Sequence, residues 1–145
     1  MAIYERILVP TDGSAATEAT LSHALSIAAD HDAEVHALSV VDTRITRSAP
    51  DEGRDGVERA LVEEATSAVD RVEREAADTG LRTETELRRG RPDREILTYA
   101  EEEGIDLIVI GAHGKSPREK LATMGSVSER VVDGAGCPVL VVRGE

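Results

Sequence analysis

Two glycine-containing stretches late in the sequence could bind a phosphate group. Gly111 and Gly114 follow an apolar run, and glycine lets the backbone approach a ligand more closely than any other residue does. Gly125 and Ser126 stand at the predicted start of a helix, where backbone N–H groups and the positive end of the helix dipole favour an anion. The spacing leaves a second interpretation open, in which the glycines merely end a strand and Ser126 with Glu129 forms a capping box.

The charge of this stretch favours the phosphate interpretation. The chain carries 29 Asp and Glu against 17 Lys and Arg, a formal net charge of −12. Residues 111–120 instead hold three basic side chains (Lys115, Arg118 and Lys120) against one acidic side chain (Glu119), a local net charge of +2. The acidic surface elsewhere repels nucleic acids and anionic lipids. We therefore expect an anionic small ligand and neither nucleic acid nor a membrane as partner.

Other common chemistries lack the residues they need. Cys137 is the single cysteine, which excludes an internal disulfide and a cysteine-based zinc site. The four histidines do not have the spacing of a metalloprotease helix, and residues 10–14 form neither a Walker loop nor a dinucleotide fingerprint. The two possible bases near the glycine stretch are His113 and Asp12. No catalytic residue is therefore predicted, and any phosphoryl transfer should be slow.

The apolar pattern predicts strands that alternate with helices. The predicted strands are Tyr4–Pro10, Ala33–Val41, Leu81–Leu87, Ile105–Ile110 and Cys137–Val142. The predicted helices begin near Ser14, Val57, Pro92 and Ser126, with long loops at Thr43–Gly56 and Gly111–Met124.

This order of elements predicts one α/β domain over residues 1–145, an open five-stranded parallel sheet with helices on both faces, of the flavodoxin or Rossmann type. Ligands of such sheets bind at the carboxyl ends of the strands, near the switch point. The loops after the first, second and fourth strands are the candidate sites. The chain shows no signal-peptide pattern and no apolar stretch near the roughly 18 residues of a membrane span, so a cytoplasmic location is expected.

Taken together, these motifs resemble the universal stress protein family. The family signature, G-x2-G-x9-G-S/T, is similar to residues 111–126, although ten residues rather than nine separate Gly114 from Gly125 here. The resemblance also covers the turn into the third predicted helix and four of the strands: Ile7–Ser14, Leu38–Asp42, Gly90–Pro92, Asp106–Gly111 and Cys137–Val142.

The resemblance implies an adenine nucleotide α-hydrolase-like domain that binds ATP, with Mg²⁺ or Mn²⁺, or another adenosine phosphate, in a stress-response or regulatory role. It implies that Asp12 accepts from a ribose hydroxyl or helps to hold a metal, and that Val40 offers backbone atoms to an adenine edge. The full set of implied site residues is Pro10, Thr11, Asp12, Val40, Gly111, His113, Gly114, Lys115, Gly125, Ser126 and Val127.

The resemblance further implies a homodimer that forms through the last strand. Alternatives remain open for individual residues, since Asp12 could close an Asx-turn and Val40 could be plain strand core. They also remain open for the whole chain, which could be a slow nucleotide-dependent hydrolase or transferase, or a family member that binds no nucleotide and acts by protein interaction.

The excess of carboxylates, with arginine favoured over lysine, is typical of proteins from a salt-rich cytoplasm and predicts salt-dependent stability. Salt shortens the range of carboxylate repulsion to about 3 Å at 1 M. The melting temperature should therefore rise with KCl. Thermal melts from dilute buffer to molar KCl test this, and a melting temperature that stays flat over the range contradicts it.

Overall fold

A computed structural model describes residues 3–12, 16–112 and 124–143. Five strands form one parallel sheet in the order β3-β2-β1-β4-β5: β1 (Arg6–Pro10), β2 (Glu34–Asp42), β3 (Thr83–Gly90), β4 (Leu107–Gly111) and β5 (Val139–Val142). The helices are α1 (Ala16–His31), α2 (Thr43–Ser48), α3 (Arg54–Asp78), α4 (Pro92–Glu102) and α5 (Ser126–Gly134). The predicted α/β class and open parallel sheet are confirmed. Among the described helices, none is long and apolar enough to cross a bilayer.

The central strand β1 is buried on both faces, as its uninterrupted apolar run predicts. Ile7, Leu8 and Val9 are all 0% exposed. Ile7 and Val9 pack into a cluster with side chains of α1 and α3, whereas Leu8 packs into a second cluster with side chains of α4 and α5. The helices therefore cover both faces of the sheet, and the alternation of side chains along β1 separates the two cores.

The end of α3 is defined by Gly80. Gly80 has a φ of 75°, a left-handed conformation that glycine adopts without steric cost. Its N–H donates to the Ala77 carbonyl at 3.0 Å, and the Leu81 N–H donates to the Ala76 carbonyl at 3.0 Å. These two bonds form a Schellman motif, which turns the chain toward β3.

The predicted long loop at Thr43–Gly56 is wrong over most of its length. It contains α2, a short 3₁₀ turn at Asp51–Gly53 and the first residues of α3. The Asp42 carboxylate caps α2 by accepting from the Arg44 N–H at 3.0 Å. A helix of six residues is too short to show an apolar period, so the pattern could not reveal it.

A buried polar cluster lies between the sheet and α4. His36 and Tyr99 are each 2% exposed, and their Nδ1 and Oη atoms lie 2.6 Å apart. The His36 Nε2 atom lies 2.7 Å from the Glu34 carboxylate. A carboxylate only accepts, so Nε2 carries a proton and donates to Glu34; in the tautomer protonated at Nε2 alone, Nδ1 accepts from the Tyr99 hydroxyl. Burial, together with the charges of Glu103, Glu86 and Glu84, raises the pKa of Tyr99 above its ordinary value.

Substitution Tyr99→Phe tests this cluster, because it removes the donor to the His36 Nδ1 atom. A buried acceptor left without its donor costs about 1–3 kcal/mol, so the free energy of unfolding should fall by that amount in urea titrations at neutral pH. The matched control is Tyr4→Phe, since Tyr4 contacts the His31 ring with its own ring at a centroid distance of 5.0 Å.

Tyr99→Phe should also change how the free energy of unfolding depends on pH in the alkaline range. Folded protein keeps the Tyr99 proton at a pH where unfolded chain has lost it, so stability falls as pH rises above about 10. Tyr99→Phe should show a shallower fall than wild type. Identical alkaline slopes in the two proteins would contradict the raised pKa.

Candidate functional site

Pairing of β1 with β4 stops short of the carboxyl edge of the sheet, and the gap between the two strand ends is the candidate crevice. In the described residues the ladder between these strands pairs Ile7 with Leu107 and Leu8 with Ile108, and extends no further toward the carboxyl ends. The next strand along the chain, β2, lies on one side of β1 in the sheet, and β4 lies on the other side of β1. This arrangement is the topological switch point at which open α/β sheets bind ligands.

One wall of the crevice is formed by the ends of β1 and β2. The Thr11 N–H donates to the Leu38 carbonyl at 2.9 Å, which ties the loop after β1 to β2. Along β2, Glu34 bonds toward β1, whereas Val35 bonds toward β3 through the Arg82 carbonyl. Because successive residues of a strand alternate in this way, Val40 directs its N–H and C=O toward the β1 side, beyond the point where β1 ends.

The other wall is formed by the end of β4 and the first turn of α5. The Gly125 N–H donates to the Ala112 carbonyl at 2.6 Å, and the Ala112 N–H donates to the Val142 carbonyl of β5 at 2.8 Å. These bonds place the amino end of α5, with its partial positive charge, beside the carboxyl end of β4.

The alternative interpretation, in which Ser126 is the N-cap of a capping box with Glu129, is wrong. Gly125 occupies the N-cap position with φ −69° and ψ 159°, and Ser126 is the first helical residue. The Glu129 N–H donates to the Gly125 carbonyl at 3.0 Å as the first intrahelical bond. The sequence pattern assigned the N-cap to Ser126 rather than to Gly125. Glycine has no side chain that could cap a helix, so its type does not identify it as the N-cap.

The structure gathers most of the predicted site residues around this crevice. Pro10, Thr11 and Asp12 lie at the end of β1, with Thr11 8% exposed and Asp12 exposed. Val40 lies near the end of β2, and Gly111 is the last residue of β4. Gly125 is the N-cap of α5, and Ser126 and Val127 are its first two residues. The predicted residues His113, Gly114 and Lys115 lie outside the described residues, as does the predicted helix start at Ser14.

Asp42 and Arg44 lie next to the crevice and were not predicted as site residues. Arg44 folds back onto Asp42, with its Nη2 atom 2.8 Å from the carboxylate and its Nε atom at 3.0 Å. Burial alone would raise the pKa of Asp42, but the hydrogen bonds from the Arg44 side chain and backbone outweigh it and lower the pKa below its ordinary value. This ion pair fixes the start of α2 at Thr43, three residues after Val40. In the sequence, the run Asp42-Thr43-Arg44 indicates this ion pair only by placing an acidic and a basic residue two positions apart.

Ser128 was also missed by the sequence analysis. It is 4% exposed, and its hydroxyl donates to the Gly111 carbonyl at 2.6 Å. Its spacing of three residues from Val131, which is 0% exposed, places both residues on the buried face of α5. That helical period is the signal that could have identified it.

A separate cavity of about 550 Å³ lies at the opposite, amino edge of the sheet. Its lining includes five carboxylates, which disfavour a phosphate there. The lining residues are Arg6, Glu34, His36, Glu84, Glu101, Glu102, Glu103 and Gly104. In the described part of the chain, no group of three or more histidine, cysteine, aspartate or glutamate side chains could hold a metal ion.

Comparison with known proteins identifies relatives along almost the whole chain. The model of the universal stress protein family matches residues 3–143. A universal stress protein from Methanocaldococcus jannaschii is 41% identical over 142 residues, which cover 97% of this chain and 83% of the relative.

Solved structures share the fold. The structure of hypothetical protein MJ0577, from the same organism, has a TM-score of 0.89 and 34% identity, and the match covers 99% of this chain and 98% of that chain. A universal stress protein from Archaeoglobus fulgidus in complex with dAMP has a TM-score of 0.71 and 23% identity, over 97% of this chain and 99% of that chain.

Proposed function

Since the chain belongs to the universal stress protein family, we propose that it binds ATP or another adenosine phosphate in the crevice between β1 and β4, in a stress-response or regulatory role. The observation that carries the proposal is the pairing of two different walls at one switch point. One wall offers backbone donors and acceptors, and the other offers the positive end of a helix.

The wall formed by the ends of β1 and β2 has groups that can bind the adenine base. Val40 directs one N–H donor and one C=O acceptor toward the β1 side, as the alternating bonds of Glu34 and Val35 indicate. Adenine presents a ring nitrogen acceptor beside an amino donor, so one backbone residue can satisfy both groups. Asp12, exposed at the end of β1, would accept from a ribose hydroxyl.

The wall formed by the end of β4 and the first turn of α5 has groups that can bind the phosphates. Helix α5 begins at Ser126, and its first turn contributes N–H groups and a serine hydroxyl at the positive end of the dipole. Gly111 and Ala112 face this turn across the bond from Gly125. Together these groups form a short anion site next to the base wall.

The dAMP complex of the Archaeoglobus fulgidus relative shows that this fold can hold an adenine nucleotide. A divalent cation would enter bound to the ATP phosphates. Asp12 is the carboxylate at the crevice that could approach such a cation.

Substitution Ser126→Ala tests the phosphate end of the site. Hydrogen bonds to charged groups are worth roughly 1.5–3 kcal/mol, so the affinity for ATP should fall about tenfold or more while the affinity for adenosine stays the same. Calorimetric titration of both ligands measures this. Because Ser126 is not the N-cap, the variant should not lose the roughly 1 kcal/mol of stability that a cap supplies.

The matched control for this test is Ser22→Ala, at an exposed position of α1, where the serine hydroxyl donates to the Glu18 carbonyl at 3.1 Å. It should bind both ligands as wild type does. Unchanged ATP affinity in Ser126→Ala would contradict the phosphate site, and a wild type that binds no adenine nucleotide would overturn the proposed function.

We also propose a homodimer that forms through β5, which lies at one edge of the sheet. Leu140 is 36% exposed on this strand, and Val132 of α5 is 41% exposed. An apolar edge of this kind is a template for pairing with a second strand. Val142, in contrast, is 5% exposed and packs into the core cluster of α1 and α3, so a charge there would unfold the domain.

Substitution Leu140→Glu should therefore give a folded monomer, because it places a charge at the pairing edge without touching the core. Leu87→Glu is the matched control, since Leu87 is 38% exposed on β3 at the opposite edge of the sheet. Sedimentation at micromolar concentration should show dimers for wild type and for the control. A monomeric wild type contradicts the proposal.

A further inference from the structure

We propose that Ser128 is a positioning residue for the phosphate end of the nucleotide site, a role that rests on the proposed function. The Ser128 side chain is buried, and its hydroxyl donates to the Gly111 carbonyl at 2.6 Å. A serine hydroxyl has one proton to donate. Since that proton is used in the bond to Gly111, Ser128 does not donate to a phosphate. It holds in place the groups that do.

Two hydrogen bonds join α5 to the end of β4 at neighbouring residues. The bond from Ser128 reaches the Gly111 carbonyl, and the bond from the Gly125 N–H reaches the next carbonyl, that of Ala112, also at 2.6 Å. The end of β4 is itself held by the sheet, because the Ala112 N–H donates to the Val142 carbonyl of β5. The first turn of α5 is therefore fixed against a rigid strand at two points.

This attachment matters more for a phosphate than for a base. The favourable field of a helix amino end falls off within the first turn, so a small displacement of that turn weakens the anion site. The base wall is independent of it, since Val40 belongs to β2 and the loop after β1 is tied to β2 by the bond from Thr11 to Leu38. Loss of the Ser128 hydroxyl should therefore reduce ATP affinity and spare adenosine affinity.

The experiment compares wild type with Ser128→Ala and Ser128→Thr. Calorimetry measures the affinities for ATP and adenosine, and amide hydrogen exchange without ligand measures protection of the Gly125 N–H. In Ser128→Ala we expect ATP affinity to fall about three- to tenfold, adenosine affinity to stay within about twofold of wild type, and exchange at Gly125 to accelerate. Ser128→Thr, which keeps the hydroxyl, should restore most of the ATP affinity.

Thr79→Ala is the matched control. The Thr79 hydroxyl also donates to a backbone carbonyl, that of Ala76 at 2.8 Å, but at the end of α3 near the amino edge of the sheet. This variant should change neither ATP affinity nor exchange at Gly125. If Ser128→Ala fails to fold, Ser128→Cys replaces it with the same expected pattern, because a thiol has similar size and is a weak donor.

Three results would overturn the positioning role: an unchanged ATP affinity in Ser128→Ala, an equal loss of ATP and adenosine affinity, or an unchanged exchange rate at Gly125. A wild type that binds neither ligand overturns the proposed function and, with it, the role of Ser128 toward phosphate. In that case the exchange rate at Gly125 still decides whether Ser128 holds α5 against β4.

Discussion

The site depends on the early end of the ladder between β1 and β4. Parallel pairing brings the carboxyl ends of all strands to one edge, but a continuous ladder along that edge would leave no room for a ligand. Here the pairing of β1 with β4 ends at Leu8 and Ile108, while β1 stays paired with β2 as far as Pro10 and Leu38. The opening therefore forms on the β4 side of β1, and the fully buried residues of β1 keep its position fixed.

Much of the fold could be predicted from the sequence because the strongest signals are local. The run Ile7-Leu8-Val9 specifies β1 through burial, and Gly80 specifies the end of α3 through its backbone conformation. The helix α2 was missed because its stability comes from the Asp42 cap and from Arg54, whose Nη2 atom donates to the carbonyls of Arg47 and Ala49. No apolar period records such contacts.

The candidate site was predictable in part, for a different physical reason. The pair Gly125-Ser126 predicts the start of a helix from the sequence alone, because glycine and serine have distinctive backbone and hydrogen-bonding preferences. The bond from Ser128 to Gly111 spans 17 residues, and the ion pair of Asp42 with Arg44 matters for the site only because β2 ends beside β1. Contacts of this kind depend on the packed fold. The same limitation hid the pairing of His36 with Tyr99, which are 63 residues apart.

The choice of aromatic residues determines how an adenine can be held. The chain has two tyrosines and no phenylalanine or tryptophan. Tyr4 contacts the His31 ring before β1 begins, and Tyr99 is buried against His36 beneath α4, so neither tyrosine is available for stacking on a base at the carboxyl edge. Stacking is worth about 1–3 kcal/mol per base, so in the proposed complex backbone groups and aliphatic surface would hold the base without help from either tyrosine. A larger share of the proposed affinity for ATP would then fall on the phosphate contacts, and hence on the bonds that hold α5 against β4.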